Sequence, residues 1–528
     1  MTKIYGYAAL FAAMSLASCS SDNEPNVVPA GAMNDAYVTV NIATPISTRA
    51  DYTYREGSTE ESAVNSATFY VFDTEHKYLA SVTHADFDWN NSDVEGIDKT
   101  SKKILKITKD ADKEVGYIMT VLNGPALDNL IVGTTTVDQV RVKVADYKKN
   151  GNYFVMTNSA YNATDTENNA YVPYATDVRG YVFDNIGAAQ NNPCDIYVER
   201  VAARVDVKEG KSADDVAFGK EFEVAGVTAD NEAMSIKVEI DGIGFINEAV
   251  NTNLVKNIAG LDNTSAFAGW DDSANFRTHW GVNYADFATK PLYYAGVTSS
   301  VENASNVEAY RNGTWYLNEN FDSANATHIV VTGHLTVNGE AAVIYTVLAN
   351  GKNYLEDGAE NTLCGYLEID GYKFVKETTE GTTTTTETKT VNPEDITIVA
   401  GDADYDGYPE ITVPAGFELY KGNAKQEVTN GKLVVKGDNY RVLKYGGAKN
   451  YYYAEINPTA QTKAGVVRNH IYDMTFNSIG GLGVPVFDPN SELKIKDLPD
   501  SDSDDAWYFN ATINILKWTV YTQGVDFK

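Results

Sequence analysis

The chain has 528 residues, of which 43% are hydrophobic, enough for about three domains at roughly 150 residues each. Acidic residues outnumber basic ones, 73 to 42, for a formal net charge of -31. That sign excludes a nucleic-acid partner, whose phosphates require clustered Lys and Arg. It suits a self-repelling surface. Tyr (35) and Gly (40) are abundant while long helical periodicity is scarce, so the composition leans to β-structure.

The first element is a leader. Lys3 is followed by an apolar run, Ile4 to Ala17, too short to span a bilayer. "LASC" (Leu16 to Cys19) resembles a bacterial lipobox, which makes Cys19 the expected lipidation site and residues 1–19 the lipoprotein signal peptide. Residues 20–49 then read as a propeptide. Within it, Val38, Val40 and Ile42 alternate with polar neighbours as a half-buried strand that Pro45 ends. Arg49-Ala50 stands in a polar stretch that an arginine-specific protease could bind extended, so the strand is removable by one cut.

Strand signals follow in succession at Ala67 to Asp73, Lys102 to Thr108, Gly116 to Gly124 and Val140 to Tyr147. "RVAARVDV" (Arg200 to Val207) alternates with Val201, Ala203, Val205 and Val207 on one face. A polar turn after it sets the expected boundary between an N-terminal β-sandwich (50–208) and a C-terminal one with insertions (209–485). In the second half, Asn338-Gly339 is a hairpin signal. The threonine-rich Glu377 to Thr390 reads as an exposed hairpin or a flexible insertion. Residues 486–507 are rich in Pro, Asp and Ser and read as an extended acidic linker.

The last element, 508–528, is strongly strand-like. Ile513 and Ile515 share one parity, and Leu516, Trp518 and Val520 the other. A β-bulge near Ile515-Leu516 would turn all five to one side. Such a strand either completes its own sheet or pairs with another chain by strand addition. Its "TINI" (Thr512 to Ile515) nearly repeats "TVNI" (Thr39 to Ile42), so the two ends of the chain carry similar strands.

Other signals carry less. Asp402 to Val413 opens as D-x-D-x-D-G, but Val413 stands where an EF-hand needs a bidentate Glu. A surface turn is the first reading; a calcium site on Asp402, Asp404 and Asp406 is the alternative, and no other cofactor is expected. The six histidines show no HExxH spacing, and G-x-S-x-G, Walker A and dinucleotide fingerprints are missing, so no enzyme is expected. Within its motif, His470 reads as a surface strand residue. Cys194 and Cys364 read as two buried free thiols, with one disulfide as the alternative.

Taken together, the lipobox at Cys19 with Arg49-Ala50 downstream, "VERVAARV" (Val198 to Val205), "YYYAEINP" (Tyr451 to Pro458), "GVVRNHIYDMTFNSIGGLG" (Gly465 to Gly483) and the terminal "INILKWTV" resemble the Mfa-type fimbrillins of Bacteroidales, major shaft subunits of short fimbriae among the type V pilins. Arg468, Asn469 and Tyr472 are the most distinctive. The resemblance implies two transthyretin-like β-sandwiches, a lipid-anchored precursor at the outer membrane, and maturation by an Arg-specific protease. It implies self-polymerisation head to tail by strand exchange, with Ile513, Ile515, Leu516, Trp518 and Val520 as donor contacts, accessory tip and anchor subunits, and a role in adhesion and biofilm formation. A monomeric surface lipoprotein that binds glycan or host protein is the alternative, and it needs neither Arg49 nor a donor strand.

Overall fold

A computed structural model describes residues 33–45, 58, 60–88, 90–91, 97–158, 175–209, 221–225, 234–257, 284, 286–297, 312–322, 324–403, 405–456, 466–495 and 509–517. The β-rich expectation holds. Ala67–Asp73, Ile97–Asp110 and Val115–Leu122 are strands where alternating or β-branched runs predict them. Val140 to Tyr147 is different. Val137–Arg141 is a short α-helix, followed by a two-residue strand, Val144–Ala145. A capping box explains it: Thr136 Oγ1 accepts from the Gln139 amide at 3.3 Å, and Gln139 Oε1 accepts from the Thr136 amide at 3.0 Å. Asp138 pairs with Arg141 one turn on, at 2.7 Å.

The first group of strands follows one path: Tyr78–His84, Ala67–Asp73, Val115–Leu122, Met156–Asn158, Cys194–Arg200, Met33–Pro45, Ile97–Asp110, Asn90–Asn91. Val115–Leu122 is buried throughout because each face meets a separate apolar cluster. The chain then changes sheet inside the alternation read as one strand. Val201 and Ala202 separate Cys194–Arg200 from Ala203–Glu209, and the latter pairs with Asn312–Leu317 and His470–Ile479. Val201 therefore packs in a core of the first group, while Ala203, Val205 and Val207 pack in the second.

The second group is a sandwich. One sheet runs Asn312–Leu317, Ala203–Glu209, His470–Ile479, Phe509–Lys517; the other is built on Ser235–Ile246, His328–Val337 and Lys449–Glu455. Val205, Val207, Met474 and Phe476 from the first meet Ile236, Val238, Ile329 and Val331 from the second. Asn338 and Gly339 have φ of 54° and 83°, the two positive values that a type I′ hairpin requires.

Between His328–Val337 and Lys449–Glu455, which are neighbours in one sheet, lies an insertion with its own core. Its helix, Glu356–Ile369, buries Ala359, Leu363 and Leu367, spaced four apart on one face. Its hairpin joins Tyr372–Glu380 to Thr383–Thr390 through Gly381, and every residue of Thr383–Thr390 is exposed. The threonine-rich stretch is thus the exposed hairpin rather than the flexible alternative.

Candidate functional site: enclosed first strand, buried junction and terminal edge

The alternation of Val38, Val40 and Ile42 places them, with Ala36, on the inner face of Met33–Pro45, and all three are fully buried. This strand is not at an edge. It runs antiparallel to Ile97–Asp110 along its whole length and parallel to Cys194–Arg200 from Val40 to Ala43. On the other parity, Asn41 donates to Asp195 Oδ1 at 2.9 Å, and Tyr37 exchanges backbone hydrogen bonds with Phe183 at 2.7 and 2.9 Å. Near its start, Asp35 pairs with Lys106 at 2.9 Å, and the hydrogen bond from that ammonium lowers the Asp35 pKa below the ordinary carboxylate value. Burying Val38, Val40 and Ile42 contributes about 1.5–3 kcal/mol each. Cys19, Arg49 and Ala50 lie outside the described residues.

At the other end, Phe509–Lys517 closes the edge of the second sandwich, antiparallel to His470–Ile479, with Ile513 opposite Met474, Ile515 opposite Tyr472 and Leu516 opposite Ile471. The bulge expected at Ile515-Leu516 is not there. The ladder runs unbroken through both residues, and the register shift falls on the partner strand, between Phe476 and Ser478. Leu516 therefore keeps the opposite parity to Ile513 and Ile515. Trp518 and Val520 lie outside the described residues.

The motif residues Arg468 and Asn469 sit where the two groups of sheets meet. Arg468 is fully buried and spends its guanidinium on four partners: Glu319 at 2.9 Å, the Leu254 carbonyl at 3.2 Å, Thr252 Oγ1 at 3.1 Å and the Asn253 carbonyl at 2.9 Å. The segment it grips belongs to the first group, since Thr252–Asn253 pairs with Val144–Ala145. Asn469 adopts φ 57°, a left-handed conformation that Asn tolerates better than most residues. From there its amide donates to the Ala202 carbonyl at 2.8 Å, and its Oδ1 accepts from the Arg200 amide at 3.4 Å. The pair clamps the crossing segment Arg200–Ala202. Tyr472 accepts from the Val467 amide at 2.7 Å, and burial raises its phenol pKa.

Beside Arg468, the buried Lys256 pairs with Glu199 at 3.4 Å. Burial lowers the Lys256 pKa, opposed by Glu199 and Glu319. A second cluster surrounds Glu61, 1% exposed, which accepts from Arg204 at 3.0 Å and from the Tyr316 hydroxyl at 2.6 Å; its backbone carbonyl accepts from Arg200 at 2.9 Å. Burial and the Glu61 hydrogen bond both raise the Tyr316 pKa. The glycine-rich end of the motif is held in the same manner. Tyr452, Asn450 and Tyr445 donate to the carbonyls of Gly481, Leu482 and Gly483 at 2.8, 2.6 and 3.1 Å. His470 is not a surface residue. It is 4% exposed, with Nδ1 2.8 Å from the Arg468 carbonyl.

Sequence reasoning found Arg468, Asn469 and Tyr472 but not the acidic partners Glu61, Glu199 and Glu319 or Lys256. Glu199 lies inside the quoted "VERVAARV", where its place on the same parity as the apolar Val201 and Ala203 is a usable signal; Glu61, Lys256 and Glu319 sit in segments without pattern. In the acidic loop, Asp402 pairs with Lys436 at 2.6 Å and Asp406 with Arg441 at 2.6 Å. Asp404 lies outside the described residues. Cys194 and Cys364 are free thiols in different cores, not the disulfide alternative, and burial pushes each up to about 12.

The fold and junction define an all-β, multi-sheet protein with one enclosed N-terminal strand and one C-terminal edge strand. Residues 443–524, which hold the Arg-Asn-x-x-Tyr motif, match the family described as major fimbrial subunit protein type IV, fimbrillin, C-terminal. The match falls on the segment whose motif carried the resemblance. No curated protein matches the chain. Among solved structures, it is similar to a candidate cell adhesion protein from Parabacteroides distasonis at 13% identity, covering 92% of this chain and 98% of that one, with a TM-score of 0.36. It is also similar to the tip fimbrial protein Mfa3 from Porphyromonas gingivalis with C-terminal truncation, at 13% identity, 92% and 100% coverage and a TM-score of 0.30. A fimbrial assembly protein from Parabacteroides distasonis is similar at 11% identity, 68% and 97% coverage and a TM-score of 0.31. The fimbrial likeness therefore rests on residues 443–524.

Proposed function

We propose that this chain is a structural shaft subunit of a cell-surface fimbrium. It is made as a precursor lipidated at Cys19, matured by an Arg-specific protease after Arg49, and polymerised by donation of residues 508–528 to a neighbouring copy. It acts in adhesion and biofilm formation, alongside accessory tip and anchor subunits. No catalytic role is assigned to it.

The observation that carries this reading is the enclosure of Met33–Pro45 between two strands, with Val38, Val40 and Ile42 fully buried. Loss of this strand would leave two unpaired strand edges and an apolar slot in the middle of a sheet, which must be refilled. Its three largest inner side chains alone contribute about 5–9 kcal/mol, comparable to the whole stability of a domain. Cleavage therefore does not eject the strand. It severs the tether, and an incoming strand displaces the fragment stepwise. Before that, pairing of Phe509–Lys517 with its own His470–Ile479 keeps the donor occupied. A head-to-tail contact of this kind does not close on itself, so it builds a filament.

Treating the purified precursor with an Arg-specific protease should remove Met1 to Arg49 and yield ladders on unheated gels. Arg49→Ala should remain monomeric. Ladders from Arg49→Ala, or fibres of unchanged length from a chain lacking Tyr508 to Lys528, would refute the proposal.

A further inference from the structure

We propose that the donor strand enters the vacated slot in one register, with Thr512, Ile513, Asn514 and Ile515 taking the places of Thr39, Val40, Asn41 and Ile42, and with Asp195 selecting it. This rests on the strand-exchange reading above and adds to it the pairing between two named segments. The recipient site is defined by the strand that occupies it now. Its inner face receives Ala36, Val38, Val40 and Ile42, all buried, and its outer face holds Asp195 against Asn41 at 2.9 Å.

Sliding the C-terminal sequence through that site leaves one acceptable fit. In the proposed register the inner positions receive Phe509, Ala511, Ile513 and Ile515. A larger residue at the first position is offset by a smaller one at the second, and the remaining two are conserved in character. A slip of one residue would put Thr512 and Asn514 into fully apolar positions, since a one-residue shift inverts the two faces. A slip of two residues one way would put Lys517 where Ile42 is 0% exposed, a buried charge with no partner. A slip of two the other way would put Trp507 and Phe509 where Ala36 and Val38 now fit, overpacking the core. Of these registers, only the one that superimposes "TINI" on "TVNI" also supplies an amide, Asn514, opposite Asp195.

The register makes a covalent prediction. Val40 is the direct partner of Cys194 across the parallel ladder, and both side chains lie in the same core. Ile513 would inherit that place, with a Cα separation inside the roughly 4.4–6.8 Å that a disulfide spans. The Ile513→Cys chain, cleaved, assembled and then oxidised with copper phenanthroline, should give ladders that survive boiling in detergent and collapse on reduction. Two thiols lose two electrons and two protons to the oxidant as the S–S bond forms. Cys194→Ser in the same chain should abolish the cross-link while leaving heat-labile ladders. Ala511→Cys, at the place of Val38, should assemble but cross-link at least about tenfold less, because Cys194 is then out of disulfide reach. As a measurement independent of filament growth, a synthetic 508–528 peptide carrying Ile513→Cys, added to the cleaved full chain, should form a disulfide with Cys194 by mass spectrometry. Ladders from Ile513→Cys without cross-links, or peptide attachment as efficient from Ala511→Cys, would overturn the register while sparing strand exchange. Absence of polymers from the cleaved unsubstituted chain would overturn the exchange reading and the register with it.

Discussion

Arg468→Ala removes a fully buried guanidinium and with it the ion pair to Glu319, itself 5% exposed, together with hydrogen bonds to the Leu254 and Asn253 carbonyls and to Thr252 Oγ1. Breaking a buried pair from one side costs about 3–5 kcal/mol, because the remaining charge stays desolvated. For units of this size each kcal/mol lowers the melting temperature by about 2–4 °C. The expected loss is therefore about 6–20 °C, read by circular dichroism on the full chain. The joint variant Arg468→Met with Glu319→Leu should recover much of the loss, since an apolar pair carries no desolvated charge. Arg468→Lys should fall between, keeping the charge but losing the planar fork that reaches several acceptors at once. If Arg468→Ala melted within about 2 °C of the parent, the junction would not be held by this residue, and the motif would need another explanation.

Further outcomes can be checked alongside it. Ile42→Ala should destabilise the precursor by about 2–5 kcal/mol in denaturant melts yet leave the stability of assembled filaments unchanged, because they no longer contain that strand; equal losses in both would count against exchange. Gly483→Ala should destabilise by more than 1 kcal/mol, since its φ is 75° and an added Cβ would lie 2.8 Å from the Tyr451 carbonyl; a neutral result in thermal melts would contradict the close approach. His328 is held below its ordinary 6.5 by burial, so folding favours its neutral form. Its contribution is present above pH 6.5 and is lost as pH falls through the lower folded value, and His328→Phe should flatten that acid limb. Cys194 and Cys364 are raised from 9.0 to about 12, so their contribution is complete below pH 9 and is lost as pH climbs toward 12. In the folded precursor carrying Cys19→Ser, neither should react with a thiol reagent at pH 8, and both should react after unfolding.

The parts legible in the sequence are those where one local rule acts without competition. Period-two alternation at Val38, Val40 and Ile42 is enough to define a strand and its inner face. Asn338-Gly339 is enough to define a hairpin, because few residue pairs accept two positive φ values. The Arg-Asn-x-x-Tyr motif is recognisable as a pattern. Where local rules conflict, the reading fails: Val140 to Tyr147 alternates like a strand, but the capping box at Thr136 and Gln139 starts a helix through its first residues. The helix at Glu356–Ile369 shows the opposite lapse, since Ala359, Leu363 and Leu367 carry a helical spacing that a β-rich composition obscured.

By itself, then, the sequence determined many of the strands, which of their faces are apolar, and that the two ends of the chain are alike. Only the tertiary structure decided that the first strand is enclosed on both sides, that "RVAARVDV" breaks at Val201–Ala202 to serve two sheets, and that Arg468 meets Glu319 across 149 positions. The physical reason is range. Alternation, caps and turns are satisfied by neighbours a few residues away, whereas the partner of a buried charge or a central strand is chosen by which distant segment can exclude water from it.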